Sequence, residues 1–160
     1  MNDALVLMPC FKEAFYSVYM DYYFNSVPLY RKLLNVGYSA CKTACPNPGI
    51  PTVLQELKNN HSKALPWGSL YVKVEDDILC LAWQDNNIVL GLSTLHSPTG
   101  FIAQKRKWPA KTSTNGTLVR RVFGDKVIKE LDIPVFINDY NYYMGAVDVS
   151  NQLQASYTVH

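Results

Sequence analysis

Three apolar runs separated by two short turns dominate the middle of the chain. Ser69-Leu70-Tyr71-Val72-Lys73-Val74 is followed by Glu75-Asp76-Asp77, Ile78 to Trp83 by Asp85-Asn86-Asn87, and Ile88 to Leu95 by Ser97-Pro98-Thr99-Gly100. Turns this short cannot hold a crossover, so consecutive runs have to pair antiparallel. The pattern predicts a three-stranded meander across 71–95, with turns near Asp76 and Asn86 and no helix.

The flanks change period. Ala14 to Met20 is aromatic and branched and reads as a strand closed by Asp21. Val27 to Leu34 reads as a helix, with Pro28 suited to its first turn and Gly37 placed to stop it. Tyr38 to Ala44 is a second strand, small and buried. Pro46-Asn47-Pro48-Gly49 is a turn cluster, and Pro51 to Lys58 a short helix. Strand, helix, strand suits a parallel crossover. Beyond the meander, Leu118 to Phe123 reads as an amphipathic helix ended by Gly124, and a last helix runs from about Ile137 into Gln154. Strand, helix, strand, then a meander, then helices gives an α/β or α+β fold class with an antiparallel meander and a C-terminal helix.

Composition narrows the setting. A chain of 160 residues suffices for one domain with a real core. No window of 18 apolar residues spans a membrane, and Met1 to Phe15 lacks the basic start of a signal peptide. A net charge of +2 gives no nucleic-acid signal of its own. Cys41 and Cys45 sit four apart, but neither a second pair nor His61, His96 or His160 completes a ligand spacing, so the thiols read as reduced and structural.

Three acids stand where metal chemistry could use them. Transfer of phosphoryl groups on DNA commonly relies on two divalent ions about 4 Å apart, held by carboxylates on rigid elements. Asp21 ends a strand, Asp85 sits at a hairpin tip beside Trp83, and Asp148 lies in the last helix. Each has a plainer reading as a cap or turn residue. Lys105-Arg106-Lys107-Trp108-Pro109-Ala110-Lys111 is the dense basic run, either a solvated loop or a phosphate contact. Adjacent Arg120 and Arg121 cannot share one helix face. His96 is either a site residue or a satisfied structural one.

Blocks along the chain carry a resemblance. Tyr140-Asn141-Tyr142-Tyr143-Met144-Gly145-Ala146-Val147-Asp148 through Gln152 resembles the "YN-x-x-MGGVD-x-x-xQ" segment of piggyBac-type transposases. Asp21 to Leu29 resembles the family's "DN-x-F-T/S-S-x-P-L", Leu33 to Pro46 its "L-x-x-x-G-x-x-A-x-GT-A-R-x-N" strand, and Trp83 to His96 its "W-x-D-N-x-x-V-x-x-LST-x-H". Lys105 to Pro109 is similar to "R-K-R-P". The order of the blocks matches as well.

The resemblance implies a partial piggyBac-type catalytic domain over 1–160, an incomplete RNase H-like mixed sheet in which 65–110 is a β-rich insertion. It implies a nuclear DNA transposase cutting and joining strands with Mg²⁺ or Mn²⁺, in which Asp148 is a metal ligand. Asp21 and Asp85 are its expected companions, and Lys105, Arg106, Lys107 and Lys111 its expected DNA contacts. A homodimer belongs to the same expectation. The departures are Tyr22, Cys45, Trp108, Ala146 and Asn151, and above all Ser97, where many members place an acid after the "LST-x-H" strand. Serine supplies no charged ligand, and no further acid follows until Asp125, so cleavage is expected to be lost in a gene-model fragment or decayed element. The alternatives are a non-catalytic DNA-binding remnant and a generic α/β interaction domain. If the metal reading holds, the carboxyl carbons of Asp21 and Asp148 lie within roughly 8 Å of each other in the folded chain, the span set by two ions between them.

Overall fold

The computed structural model describes residues 16–20, 27–46, 49–59, 65–113 and 115–156, with side chains in the last stretch described for 115–145 and 149. The strands are β1 (Tyr16–Met20), β2 (Tyr38–Ala44), β3 (Leu70–Glu75), β4 (Ile78–Gln84), β5 (Ile88–Ser93), β6 (Phe101–Lys107) and β7 (Ile128–Pro134). The helices are α1 (Val27–Asn35), α2 (Thr52–Asn59), α3 (Gly116–Arg120) and α4 (Val135–Ser156).

The first five strands form one sheet in the order β1-β2-β5-β4-β3, and β6 pairs with β7 as a separate ribbon. β1 and β2, joined through α1, are parallel; the pairs β2/β5, β5/β4 and β4/β3 are antiparallel. The expected meander is therefore present, and its strands continue the sheet of β1 and β2. The span 65–110 thus supplies three strands of that sheet as well as β6. The turn between β3 and β4 places Asp76 at φ 50° and Asp77 at φ 62°, the left-handed pair that a two-residue hairpin matching strand twist requires.

Both faces of the sheet are covered. On one side Tyr30 and Leu33 of α1 and Leu54 of α2 pack over Ala40, Ile78, Cys80, Ala82, Leu90 and Leu92. On the other, Ile133 of β7 and Phe136 and Ile137 of α4 pack over Cys41, Leu79, Leu81 and Trp83. β4 is buried at every position, which explains why Ile78 to Trp83 is an unbroken apolar run without alternation. Tyr30 lies in the first core and its hydroxyl donates to the Leu92 carbonyl at 3.2 Å.

The two strands of the ribbon were not legible as strands. Phe101-Ile102-Ala103-Gln104-Lys105-Arg106-Lys107 and Ile128-Lys129-Glu130-Leu131-Asp132-Ile133-Pro134 expose Lys105, Lys107, Glu130 and Asp132 on one face, while Arg106 and Lys129 on the other are paired inward, so neither run shows a plain apolar alternation. The helix expected over 118–123 divides into α3 and a 3₁₀ turn, Arg121–Phe123, before Gly124 at φ 59°.

Gly91 fixes how α4 crosses the sheet. A Cβ at this position would lie 2.3 Å from Cζ of Phe136, so the ring rests on bare backbone. Gly91→Ala should lower stability by about 1–3 kcal/mol through overpacking, read as a shift in the denaturation midpoint. Lys42, fully buried, has its pKa lowered from 10.5 to about 8 by desolvation. The unfolded chain therefore binds more protons than the folded one between those values, and stability should rise with pH from about 8 upward. Burial raises the Cys80 thiol from 9.0 to about 11, so a stabilising term present below 9.0 is lost across that interval. Urea titrations at pH 7.5, 8.5 and 9 should show the rise, roughly a few tenths to 1 kcal/mol, and Lys42→Met should abolish it.

Candidate functional site

A cleft opens where β5 ends against the start of α4. Its volume is about 710 Å³, and Ser17, Tyr19, His96, Ser97, Asp139 and Tyr143 are among its lining residues. β1 brings Ser17 and Tyr19, the segment after β5 brings His96 and Ser97, and α4 brings Asp139 and Tyr143 one helical turn apart.

The polar groups there form a closed account. Ser93, the last residue of β5, is fully buried. Its Oγ accepts from the backbone N–H groups of Leu95 at 3.0 Å and His96 at 3.1 Å, and lies 2.8 Å from His96 Nδ1. His96 Nε2 lies 3.2 Å from Asp139 Oδ2. A carboxylate only accepts, so Nε2 carries the proton, and in the neutral ring Nδ1 then accepts from the Ser93 hydroxyl. That uses both lone pairs and the single proton of Ser93, which is why it is a turn anchor and not a free nucleophile. The other carboxylate oxygen, Asp139 Oδ1, accepts from Asn138 Nδ2 at 3.0 Å, and Asn138 Oδ1 accepts from Gln104 Nε2 at 2.8 Å. The network ties β5, β6 and α4 together.

Among the described residues, the cleft is lined by one carboxylate. The named lining residues include Asp139 and no lysine or arginine. Tyr19 is pushed well above the ordinary phenol range, first by burial and then by Cys41, Asp139 and Tyr143. Burial, then Asp139, likewise raises Cys41. Both groups stay protonated. Tyr19 stacks on Tyr143 with centroids 4.3 Å apart, and Tyr142 meets Tyr143 edge-on at 5.1 Å.

The anticipated residues fall in three places. Asp21, and the side chain of Asp148, lie outside the described residues; the backbone of Asp148 is within α4. Ser97 is exposed at the cleft, its Oγ 3.1 Å from Thr99 Oγ1. Asp85 lies elsewhere: it follows β4 directly, Trp67 Nε1 donates to its Oδ1 at 3.1 Å, and Arg106 pairs with its Oδ2. The register runs from Met20 to Lys42, Leu92 and Cys80, three strands across, with Asp85 five residues farther along. Strand spacing and rise then put Asp85 roughly 20 Å from Met20. Among the described residues no group of three His, Cys, Asp or Glu side chains could hold a metal ion.

The basic run lies on β6 and just beyond. Lys105, Lys107 and Lys111 are exposed, whereas Arg106 points inward to Asp85 with its guanidinium 5.9 Å from the Trp83 ring centre. Lys105 faces Glu130 across the ribbon. Arg120 stacks 3.7 Å over Trp108 and donates to the Pro109 carbonyl, leaving Arg121 as the exposed member of that pair. Asp139 was not singled out from sequence. The signal available for it was its position four residues before Tyr143 on a helix whose apolar face is Phe136, Ile137, Tyr140 and Met144.

The sequence matches the family described as Transposase IS4 over residues 2–160. The fold is similar to that of a chain in a cryo-EM structure of a piggyBac transposase synaptic complex with hairpin DNA, with a TM-score of 0.55 and 21% sequence identity. That match covers 90% of this chain and 25% of the other, so the present chain spans about a quarter of the length of that transposase. At this identity the likeness is one of fold.

The Asp85 cluster yields a stability test. Asp85→Ala removes the carboxylate that pairs with Arg106 and accepts from Trp67, and should cost about 1.5–3 kcal/mol. Arg106→Ala should cost a similar amount, and the double variant less than the sum, as denaturant titrations of the four proteins would read.

Proposed function

The chain belongs to the piggyBac-type transposase family described as Transposase IS4, and from that membership we propose that it is a DNA-handling segment of a transposase catalytic core that lacks strand cleavage of its own. In this reading Asp21 and Asp148 are the acids retained for divalent metal, Mg²⁺ or Mn²⁺. Bound there, the ion would lend positive charge to a water nucleophile and to the leaving oxygen of a DNA strand. Asp85 is left out of the set we propose, because Arg106 already neutralises it and because of its distance from the end of β1. A third carboxylate would come from a strand laid along β1, whose one partner among the described strands is β2.

The observation that carries the proposal is the Tyr19–Tyr143 stack, which holds the end of β1 against α4. Asp21 is two residues past Tyr19, at most about 7 Å along the chain. Asp148 is five residues past Tyr143, about 7.5 Å along the helix axis. The helical phase sets position 148 on the stripe of Ile137 and Met144, both buried. Both acids thus continue from one shared contact.

Lys105, Lys107 and Lys111, exposed on and just after β6, are the proposed phosphate contacts, and Arg106 acts as their internal anchor. Nuclear residence and a homodimeric state belong to the same proposal. Loss of cleavage is favoured by Ser97, an uncharged residue at the position where the resemblance implies an acid.

Two measurements test the reading. On supercoiled DNA with Mg²⁺ or Mn²⁺, the chain should give no nicking above an Asp148→Ala control; metal-dependent nicking that this control abolishes would overturn the loss of activity. Binding to duplex DNA should weaken with salt and fall further in a Lys105→Ala, Lys107→Ala, Lys111→Ala triple variant, with a log–log salt slope shallower by about 2–3.

A further inference from the structure

We propose that the cleft between β1 and α4 receives an unpaired nucleobase, with Asp139 reading the donor edge of the base and Tyr143 stacking on its face. The inference rests on the DNA-handling reading of the chain and adds a ligand class to the cleft beside the Tyr19–Tyr143 contact on which that reading draws.

Charge decides what the cleft excludes. With the Asp139 carboxylate and no lysine or arginine among the described lining residues, it disfavours backbone phosphate. What it can satisfy is a group rich in N–H donors. The ionised carboxylate has about four acceptor sites, of which His96 Nε2 and Asn138 Nδ2 occupy two, one on each oxygen. Each oxygen keeps a free lone pair, and the His96 and Asn138 contacts hold the carboxylate at a fixed angle, as bidentate recognition requires.

Shape decides what the cleft accepts. A volume of about 710 Å³ is ample for a flat heterocycle and small for a folded peptide. Tyr142 is 76% exposed and Tyr143 51% exposed on α4, large apolar rings that the described chain leaves open to solvent. Tyr19 backs Tyr143 and keeps its plane fixed. A rigid aromatic beside a positioned acceptor is the arrangement by which single-stranded bases are stacked and then read. A base within a duplex cannot present its pairing edge to Asp139, so the site takes single-stranded, looped or extruded nucleotides.

The chemistry sets an order among bases. Guanine offers two adjacent donors, N1–H and the N2 amino group, to both oxygens. Cytosine and adenine each offer one amino group beside a ring nitrogen. Thymine offers a single N–H between two carbonyl oxygens that the carboxylate repels.

The test uses fluorescence anisotropy of the 160-residue chain with labelled ten-nucleotide dT strands, each carrying one central dG, dC, dA or dT, and with a fully abasic strand of the same length. The dG strand should bind about tenfold tighter than the all-dT strand, with dC and dA between. Asp139→Asn, which can still accept from His96, should remove that preference while leaving the melting temperature within a few degrees of wild type. Tyr143→Leu, which keeps apolar cover over Tyr19, should weaken every base-bearing strand about tenfold and leave the abasic strand unchanged. Equal binding of all strands, unaffected by either variant, would overturn the base-reading site. Duplex binding without single-strand binding would also overturn it, while leaving the DNA-handling proposal standing. No binding to either form would overturn both.

Discussion

The contact between Phe136 and Gly91 sets how the last helix meets the sheet, and most of the fold depends on it. β5 sits between β2 and β4, and the Phe136 ring at the start of α4 can rest on it because position 91 carries no side chain. The ring of Phe136 fills that space and meets His96 edge-on at 5.5 Å. Once it is seated, the helix has a fixed rotation. Ile137 and Met144 face the sheet, Asp139 reaches His96, Tyr140 reaches Thr43 with 3.1 Å between hydroxyls, and Tyr143 reaches Tyr19. One packed aromatic therefore sets the placement of every polar group that α4 contributes to the cleft.

The polar network secures the same placement by other means. Ser93 is satisfied by two backbone donors and one imidazole, and His96 passes the connection on to Asp139. Burying such groups is tolerable only when each is paired. Removing the hydrogen-bonding group of Ser93 or His96 would leave a buried donor or acceptor open, which costs more than the lost bond itself. At the opposite end of β5, where it begins, Asp85, Arg106 and Trp67 bind the β6–β7 ribbon to the sheet in a similar way. The acid that looked available for metal in the sequence is thus part of a scaffold joint.

Much of the architecture was legible because period and turn chemistry agreed. The Asp76-Asp77 turn, the unbroken run of β4 and the Val27–Asn35 helix between two parallel strands each followed from local residues. β6 and β7 were hidden because charges fall on both faces of the two-stranded ribbon, Arg106 and Lys129 on the packed one, so Lys105-Arg106-Lys107 looked like a loop. The site was legible in part. The blocks around Asp21 and Asp148 marked the family, but partnership is a property of three dimensions. Nothing near Asp139 in the chain announces His96, which lies 43 residues earlier. Nor could sequence show that Arg106 would turn away from solvent to meet Asp85 while its neighbours Lys105 and Lys107 remained outside.

The central claim is that metal, where it binds at all, belongs between Asp21 and Asp148 and not at Asp85. Paramagnetic broadening by Mn²⁺ in an amide NMR spectrum tests this most directly. The losses should centre on residues 20–22 and 147–149, with the resonances of Trp67, Asp85 and Arg106 broadened far less. Broadening centred on Asp85 would contradict it.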